Sequence, residues 1–284
     1  MIKLHQALTK LWLWKYKKKM IVPSVRAVFL GDFVSTEIIL HGAYEKYELK
    51  ALENFVFSHL NKNSCCLDIG ANIGNHSCTF SNSFSKVYSF EPNPPVRYVL
   101  QANTYGKNIE VIDCGLSNKA GTIHFKQNFS NLGASHIVDN ESASDISIDI
   151  DTLDSVVKER DISNVSFVKI DVEGHEAQVL AGGENFFKKE KPIIALEAIF
   201  LKFPEEAKEV MSTLETLGYR NFYTFAYASK LTRVLRRWLG AKATKMFTSL
   251  LPTKIGKSLI LTEVRNPLLA NHLLLICSHN RIVT

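Results

Sequence analysis

Residues 65–77 have the sequence CCLDIGANIGNHS, and the rest of the chain is interpreted outward from this stretch. Its first five residues are small or apolar apart from one aspartate, as is typical of a short strand covered on both faces. Gly70 and Gly74 lack a Cβ atom, which lets a ligand or a helix approach the backbone. Asn75 is a suitable N-cap for a helix that runs to about Phe84. The stretch therefore predicts a strand, a glycine turn with free N–H groups and a helix, the arrangement at which open α/β sheets bind nucleotides.

A carboxylate follows the turn at the sequence separation expected of a residue that binds a ribose. A second strand, Lys86 to Glu91, ends 23 positions after Asp68, and an acidic residue about 20 positions on can hydrogen-bond both hydroxyls of a ribose. The glycines are spaced Gly-x-x-x-Gly, unlike those of a dinucleotide site, and the carboxylate of Asp68 would repel a pyrophosphate. A ligand with an ammonium group beside an adenosine fits better, and S-adenosylmethionine has both parts. The alternative is a glycine turn that serves only the packing of strand and helix.

Composition limits the class of protein. The chain has 284 residues, of which 46% are hydrophobic and 22% charged, so it can form one large domain, or one domain with appendages. Its apolar runs are too short for a transmembrane helix, and the first 20 residues lack the features of a secretory signal. The five cysteines lie in apolar, strand-like or helical runs, as reduced buried thiols do. We therefore expect a cytoplasmic protein, and the absence of a Cys/His cluster gives no indication of a metal site.

The positive charge is concentrated in two segments. Residues 1–20 contain six lysines and residues 230–257 contain eight lysines and arginines, without an acid in either, which leaves 20 basic and 28 acidic residues elsewhere. An acidic core argues against a nucleic-acid groove over the active site. The residues between 231 and 239 also have the apolar stripe of an amphipathic helix. The two segments either pack on the domain or a partner subunit, or make peripheral contact with an anionic membrane on its inner face.

Strand-like and helix-like segments alternate along the chain, which predicts a doubly wound, mostly parallel α/β sheet. Further strands are predicted at 109–116, 165–172, 193–197 and 222–226, and a late antiparallel edge strand at 272–278. Residues 122–125 and 146–150 predict an antiparallel β excursion around a loop at 128–144. Short strands are predicted within 22–40, and helices at 44–60, 92–105, 153–157, 175–180 and 205–217.

These elements group into four regions. They are a basic N-terminal arm with short strands at 1–44, a core at 45–228, a basic amphipathic helical insertion at 229–262, and a final strand at 263–284 that completes the core sheet.

A second cluster of reactive side chains follows the strand that begins at residue 165. In a doubly wound sheet this strand lies beside the first one, so Asp171 is expected opposite the glycine turn. A hydroxyl acceptor needs a base as it receives a methyl group, and Asp171, Glu173 and His175 are all able to serve. The alternative to a role of His175 as the base is that of a solvated or helix-capping residue. Glu197, at the end of the next strand, is a candidate for the same pocket.

The order of these motifs resembles the FkbM family of S-adenosylmethionine-dependent methyltransferases. The resemblance covers about residues 45–220 and is most specific in the last motif. The motifs are Asp68-Ile69-Gly70-Ala71-Asn72-Ile73-Gly74, Phe90-Glu91-Pro92-Asn93-Pro94, Gly115-Leu116-Ser117, Leu153-Asp154 and Val168-Lys169-Ile170-Asp171-Val172-Glu173-Gly174-His175-Glu176. Gly115 departs from the family, which more often has alanine there.

The resemblance implies a class I methyltransferase fold, with helical appendages outside the resemblance. It also implies O-methylation of hydroxyls on sugars or polyketide-type metabolites. It places the methionine end of the cofactor at the glycine turn, the ribose at Glu91, the adenine side near Asn93, and the acceptor at Asp171 and Glu173. The predicted cofactor-binding set is Asp68, Gly70, Ala71, Asn72, Gly74, Glu91, Pro92 and Asn93.

The leading hypothesis is an O-methyltransferase that acts on a hydroxyl of a glycan, a glycolipid or a related metabolite. A nucleic-acid methyltransferase is the first alternative, but Asp171-Val172-Glu173-Gly174 stands where an Asn/Asp-Pro-Pro-aromatic motif would be expected, and its charge repels a phosphate backbone. A non-enzymatic scaffold that only binds the cofactor is the second alternative.

Overall fold

The structure is a computed structural model, which describes residues 27–30, 32–126, 136–138, 146–198, 204–227, 259–269 and 272–282. Two sheets contain its strands. The strands are β1 Cys65–Ile69, β2 Lys86–Phe90, β3 Ile109–Ile112, β4 Gly115–Leu116, β5 Gly121–Lys126, β6 His136–Val138, β7 Ile146–Asp151, β8 Val165–Ile170, β9 Ile193–Ala198, β10 Asn221–Tyr227, β11 Leu259–Glu263 and β12 His272–Ser278.

Helices connect and cover these strands. They are α1 Phe33–His41, α2 Lys46–Phe55, α3 Asn75–Phe80, α4 Pro94–Thr104, α5 Leu153–Glu159, α6 Glu176–Gly182, α7 Glu184–Glu190 and α8 Pro204–Thr216, with 3₁₀ turns at Phe57–His59 and Pro267–Leu269. Among the described residues, none of the helices combines the length and the apolar character needed to cross a bilayer.

The larger sheet has eight strands in the order β11-β10-β12-β9-β8-β1-β2-β3. β9, β8, β1, β2 and β3 pair in parallel, whereas β12 is antiparallel to both of its neighbours and β11 is antiparallel to β10. The predicted doubly wound α/β fold is confirmed by this topology. The carboxyl ends of the parallel strands meet at one edge of the sheet, where open sheets of this kind bind ligands.

The centre of the sheet is buried on both faces because alternate residues enter two different apolar clusters. Leu67 and Ile69 belong to one cluster, and Cys66 belongs to the other. On the second face, the ring of Phe167 lies 4.9–6.0 Å from three other phenylalanine rings. Such contacts fix the rings more specifically than burial alone, so β1 and β8 form a rigid base for the residues that follow them.

The smaller sheet confirms the antiparallel excursion. Its order is β4-β7-β5-β6, with β5 antiparallel to both β6 and β7. The predicted third strand at 109–116 is divided, because residues 109–112 pair in the large sheet and residues 115–116 pair with β7 in the small one. Part of the predicted loop at 128–144 is a strand, His136–Val138.

The segment before the core differs from its prediction. The short strands expected within 22–40 are replaced by α1 in the described part of that range. Asp32 caps this helix through a 2.8 Å bond from the Ser35 N–H, and Gly42 ends it at φ 87°. Aspartate before and glycine after an apolar run are helix boundary signals, and the short alternation in the sequence obscured them.

The end of the chain also differs from its prediction. His272–Ser278 is antiparallel, as expected, but it lies between β9 and β10, and the late antiparallel edge strand is Leu259–Glu263. The helical insertion predicted at 229–262 is therefore wrong at its end, since residues 259–263 pair with β10. The basic segments at 1–20 and 230–257 lie outside the described residues.

Candidate active site

A cavity of about 250 Å³ lies at the carboxyl ends of β1, β2, β8 and β9. Nine of the eleven residues predicted for the site line it, and Asp68 and Gly74 do not. The predicted residues in its wall are Gly70, Ala71, Asn72, Glu91, Pro92, Asn93, Asp171, Glu173 and His175.

The glycine turn after β1 is held closed by its own backbone. The N–H groups of Gly70 and Ala71 both donate to the carbonyl of Phe90, and the Gly74 N–H donates to the Ala71 carbonyl. The Asn72 N–H donates to Glu91 at 3.0 Å. The expectation of free N–H groups is therefore wrong at these four positions. A turn without free N–H donors there cannot cradle a pyrophosphate, which agrees with the argument against a dinucleotide.

The two glycines of the turn serve close packing. Gly70 has φ +79°, and a Cβ atom on it would lie 1.8 Å from the backbone oxygen of Asp171. Gly74 has φ +90°, and a Cβ atom on it would lie 2.8 Å from a methyl group of Leu100. Gly70 thus allows β1 to approach the segment after β8, and Gly74 allows α3 to approach α4. Asn75 does not cap α3, since its amide exchanges two hydrogen bonds of 3.0 Å with the backbone of Tyr44.

Glu91 links the glycine turn to the end of β2. Its two carboxylate oxygens accept from the N–H groups of Asn72 at 3.0 Å and Asn93 at 2.9 Å. Burial raises the pKa of Glu91 to about 7, although these two bonds oppose the shift. A carboxylate has about four acceptor positions, so two remain for the hydroxyls of a ribose.

Asp68 is fully buried, and its predicted direct contact with the cofactor is not supported. One oxygen accepts from Ser77 at 2.5 Å, and Ser77 in turn accepts from Ser89 at 2.8 Å. The other oxygen has no hydrogen-bond partner and lies 3.9 Å from the ammonium of Lys169. Asp68 therefore lies beneath the turn, between Ser77 and the ammonium of Lys169.

Part of the cavity wall is apolar. Phe90, Leu116 and Ile150 are all more than nine-tenths buried and line the cavity. A Cβ atom on Gly115 would lie 2.9 Å from a methyl group of Ile150. Ile150 therefore occupies the space that the alanine more common in the family would need.

Lys169 is the buried cation of the site. Its side chain is 2% exposed, and it donates to Asp171 at 2.9 Å. Burial alone would lower the pKa of Lys169, but Asp171 and Asp68 together raise it well above its ordinary value. Burial alone would raise the pKa of Asp171, but Lys169 and a hydrogen bond from Glu197 hold it below its ordinary value. Lys169 and Asp171 are therefore both charged at neutral pH.

Glu197 lines the same cavity from the end of β9 and shares a hydrogen bond with Asp171. Burial and the charges of Asp171 and Glu173 raise its pKa to about 8. Two carboxyl groups in contact cannot both ionise easily. Glu197 is therefore protonated at neutral pH, and its O–H donates a hydrogen bond to Asp171.

The predicted residues after Asp171 are brought to the cavity by an unusual turn. Glu173 has φ 53° and Gly174 has φ 94°, so two successive residues are left-handed. The carboxylate of Glu176 accepts from the N–H groups of Val172 and Gly174 at 3.1 and 3.3 Å and stabilises this turn. His175 lines the cavity and bonds the Ser117 hydroxyl at 2.9 Å through Nε2, and burial lowers its pKa.

The segment between α1 and α2 contributes residues that the sequence analysis missed. Tyr44 and Glu45 line the cavity, and Glu45 forms a buried 3.0 Å contact with Nε2 of His76. Burial and the charge of Glu45 raise the pKa of Tyr44. Tyr44 and Glu45 lie before Asp68, where the first family motif begins. In the sequence they are recognisable only as the polar residues at the start of the helix predicted at 44–60.

Three residues other than glycine have positive φ and line the cavity. They are Glu45, Asn72 and Glu173, at φ 52°, 49° and 53°. Each such conformation costs about 1–3 kcal/mol, and residues of this kind concentrate at functional sites. All three cavity-lining turns are thus held in place by the packing around them. Among the described residues, no group of His, Cys, Asp and Glu is arranged to hold a metal ion.

A family model described as the methyltransferase FkbM domain matches residues 68–221, which is more than half of the chain. The chain belongs to the FkbM methyltransferase family. The predicted resemblance is therefore confirmed, and the cofactor of the domain is S-adenosylmethionine.

Two curated relatives match parts of the chain. The hexuronic acid methyltransferase AglP of Haloferax volcanii is 36% identical over 122 residues, which are 42% of this chain and 49% of AglP. The methyltransferase sdnD of Sordaria araneosa is 25% identical over 195 residues, which are 53% of this chain and 75% of sdnD. The match to AglP thus spans about half the length of that relative.

Among solved structures, the chain is similar to the methyltransferase FkbM from Methylobacillus flagellatus KT. The TM-score is 0.42 at 18% identity, and the match covers 61% of this chain and 42% of that one.

The cavity residues fit this cofactor. A turn whose N–H groups are already used, and a carboxylate at the end of β2, suit a ligand with an ammonium group and a ribose better than one with phosphates. The apolar wall provides a surface for an adenine ring.

Proposed function

We propose that this protein transfers a methyl group from S-adenosylmethionine to a hydroxyl group of a sugar, in a glycan, a glycolipid or a related metabolite. The observation that carries this proposal is the cavity with two unlike walls. One wall is formed by the glycine turn, Glu91 and apolar side chains. The other contains Asp171, Glu173 and Glu197.

The first wall is suited to hold the cofactor. Glu91 has two acceptor positions left for ribose hydroxyls after its bonds to Asn72 and Asn93. Phe90, Leu116 and Ile150 offer apolar surface for the adenine, with Pro92 and Asn93 beside them. The bound cofactor supplies an electrophilic methyl group. The protein holds its adenosine end on this wall, so that the methyl group can face the acid residues.

The second wall is suited to a hydroxyl acceptor. Its carboxylates can accept hydrogen bonds from sugar hydroxyls and fix their orientation. Alignment of two reactants alone can supply about 7–11 kcal/mol of the barrier reduction. A hydroxyl that loses its proton to a carboxylate becomes the stronger nucleophile.

The sugar as substrate class is supported by the relative AglP, whose name gives hexuronic acid as its substrate. The acid wall supports a hydroxyl over a phosphate-bearing acceptor, because the carboxyl groups of Glu45, Asp171, Glu173 and Glu197 line the cavity and Asp171 is ionised at neutral pH. A nucleic-acid acceptor would bring its phosphates towards these groups.

Calorimetry and isotope transfer together test the proposal. The full chain is titrated with S-adenosylmethionine, and methyl-labelled cofactor is then incubated with glycan and glycolipid fractions. We expect binding and a labelled product that is one CH₂ unit heavier. Absence of binding would contradict the proposal, binding without any labelled product would favour the cofactor-binding scaffold, and label found only in nucleic acid would favour a nucleic-acid methyltransferase.

We also propose peripheral contact with an anionic membrane. Leu30, Phe33 and Leu40 are more than half exposed in and before α1, and Phe33 also lines the cavity. Exposed apolar residues beside a site suit an acceptor sugar with a lipid anchor. Sedimentation with anionic and neutral vesicles tests this contact. Unchanged vesicle binding after deletion of residues 1–20 would argue against a contribution of the N-terminal arm to membrane contact.

A further inference from the structure

We propose that Glu197 is the residue that takes the proton from the acceptor hydroxyl, and that Asp171 positions it. This inference rests on the proposed transfer to a hydroxyl and names the base of that reaction. Sequence motifs draw attention to Asp171, Glu173 and His175 instead, because these lie within one continuous segment.

The geometry separates the roles of the two paired carboxyl groups. Asp171 is fixed on three sides, since its N–H donates to the Ile69 carbonyl at 3.0 Å, Lys169 donates to its Oδ2 at 2.9 Å, and Glu197 donates to it as well. Glu197 is half-buried at the end of β9 and lines the cavity. The group that is less engaged with the protein is therefore the one free to exchange a proton with a bound hydroxyl.

The charges around Glu197 also favour it as the base. Asp171 and Glu173 of the segment after β8 and Glu45 of the α1–α2 connection all disfavour its ionised form, and Tyr44 of that connection is close enough to interact with it. Lys169 and His76 both favour the ionised form of Asp171. Burial and these acids give Glu197 a pKa of about 8, whereas Asp171 has a lowered pKa. A base whose pKa lies near the working pH holds the transferred proton better.

The other two candidates are less suited. Nε2 of His175 is engaged with the hydroxyl of Ser117, and burial lowers the pKa of its imidazole. Glu173 lines the cavity but is exposed, so water competes for its oxygens. Glu197 combines access to the cavity with partial exclusion of water.

The step balances without a further reactant. The ionised carboxylate of Glu197 accepts the hydroxyl proton as the acceptor oxygen forms its bond to the methyl carbon. The carbon–sulfur bond breaks, and its electron pair stays on sulfur, which loses its positive charge. The products are the methyl ether, S-adenosylhomocysteine and neutral Glu197, which then returns its proton to water.

The variant Glu197→Gln tests this role. Glutamine can still donate a hydrogen bond to Asp171, as the protonated glutamate does, but it cannot take a proton. In the wild type, kcat/KM should rise with pH through about 8 with the slope of one proton. In Glu197→Gln we expect kcat to fall by about 100-fold or more, the rise with pH to disappear, and the Kd of S-adenosylmethionine to stay within about threefold.

Two further variants make the result decisive. Glu197→Asp retains a titrating carboxyl group and should recover part of the rate together with the rise with pH. Glu184→Gln, on the exposed surface of α7, should leave kcat and the rise of kcat/KM with pH unchanged. A Glu197→Gln enzyme that keeps the wild-type pH profile, or kcat within about threefold, would overturn the inference. Failure of the proposed function is a different observation, since the wild type would then bind the cofactor without methylating any sugar.

Discussion

The two walls of the cavity are built in opposite ways. The cofactor wall is a backbone structure, in which one glycine turn and one carboxylate satisfy each other's hydrogen bonds within residues 70–93. The acceptor wall is a side-chain structure, in which Glu45, Lys169, Asp171 and Glu197 come from three distant segments and balance each other's charges. The first wall is fixed by packing. The second is held by electrostatics and by proton sharing.

This difference has a physical consequence. A change in the cofactor wall should act mainly on folding and on cofactor affinity, because atoms there have no room to move. A change in the acceptor wall should act mainly on ionisation and on turnover.

The largest effect is expected for Gly70→Ala. The added Cβ atom would overlap the Asp171 carbonyl at 1.8 Å, and neither strand can retreat from the centre of the sheet. We expect a loss above about 5 kcal/mol in the free energy of unfolding, measured by urea denaturation. Gly106→Ala is the matched control, because Gly106 has φ +75° but open space around it. It should cost only about 1–2 kcal/mol, and equal losses would contradict the packing role of Gly70.

Lys169→Met should have the next largest effect. It leaves two buried or half-buried carboxylates, Asp68 and Asp171, without their cation. Removal of one partner from such a group typically costs about 3–5 kcal/mol. Lys188→Met removes an exposed lysine that also pairs with a carboxylate, and it should cost less than about 1 kcal/mol. Similar urea midpoints for the two variants would show that Lys169 does not balance the acids.

The third effect concerns the pH dependence of cofactor binding. The pKa of Glu91 is raised from 4.5 to about 7. Its neutral form therefore favours the fold below about pH 4.5, and this contribution is lost as the pH rises through about 7. Ribose hydroxyls prefer the ionised carboxylate, so binding below pH 7 must release a proton. We expect the affinity for S-adenosylmethionine to rise with pH and to level off above about 7, as measured by calorimetry. A flat profile would contradict contact with Glu91.

The smallest effect is expected where the apolar wall departs from the family. Gly115→Ala introduces a Cβ atom 2.9 Å from a methyl group of Ile150, and a side chain can yield more easily than a backbone. The cost should be about 1–3 kcal/mol. Ile150→Val in the same molecule should recover part of it, which a double-mutant cycle in urea measures. Additive costs would mean that the two residues do not compete for space.

The cofactor wall was largely predictable from the sequence, because it is local. A strand, a glycine turn and a carboxylate 23 positions later specify one another through backbone geometry. The hydrogen-bond acceptors of the turn's N–H groups were not predictable, since Phe90 and Glu91 lie at the end of another strand.

The acceptor-wall residues at the ends of β8 and β9, Glu197 among them, were predictable, but the pairing between them was not. Asp171, Glu173 and His175 follow one strand and were found, whereas the pairing of Glu197 with Asp171 depends on the neighbouring strand β9. The contribution of Glu45 was missed, because a helix replaces the strands expected before it, and its contact with His76 joins residues 31 positions apart.

The central claim is that the cofactor and the acceptor are held by different walls. A calorimetric titration with S-adenosylmethionine tests it most directly in the wild type, Glu91→Gln and Glu173→Gln, the same substitution made on opposite walls. Loss of a charged acceptor of ribose hydroxyls should weaken binding by about 10- to 100-fold in Glu91→Gln. Binding to Glu173→Gln should stay within about threefold of the wild type. Equal losses in both variants, or a larger loss in Glu173→Gln, would contradict the division of the site.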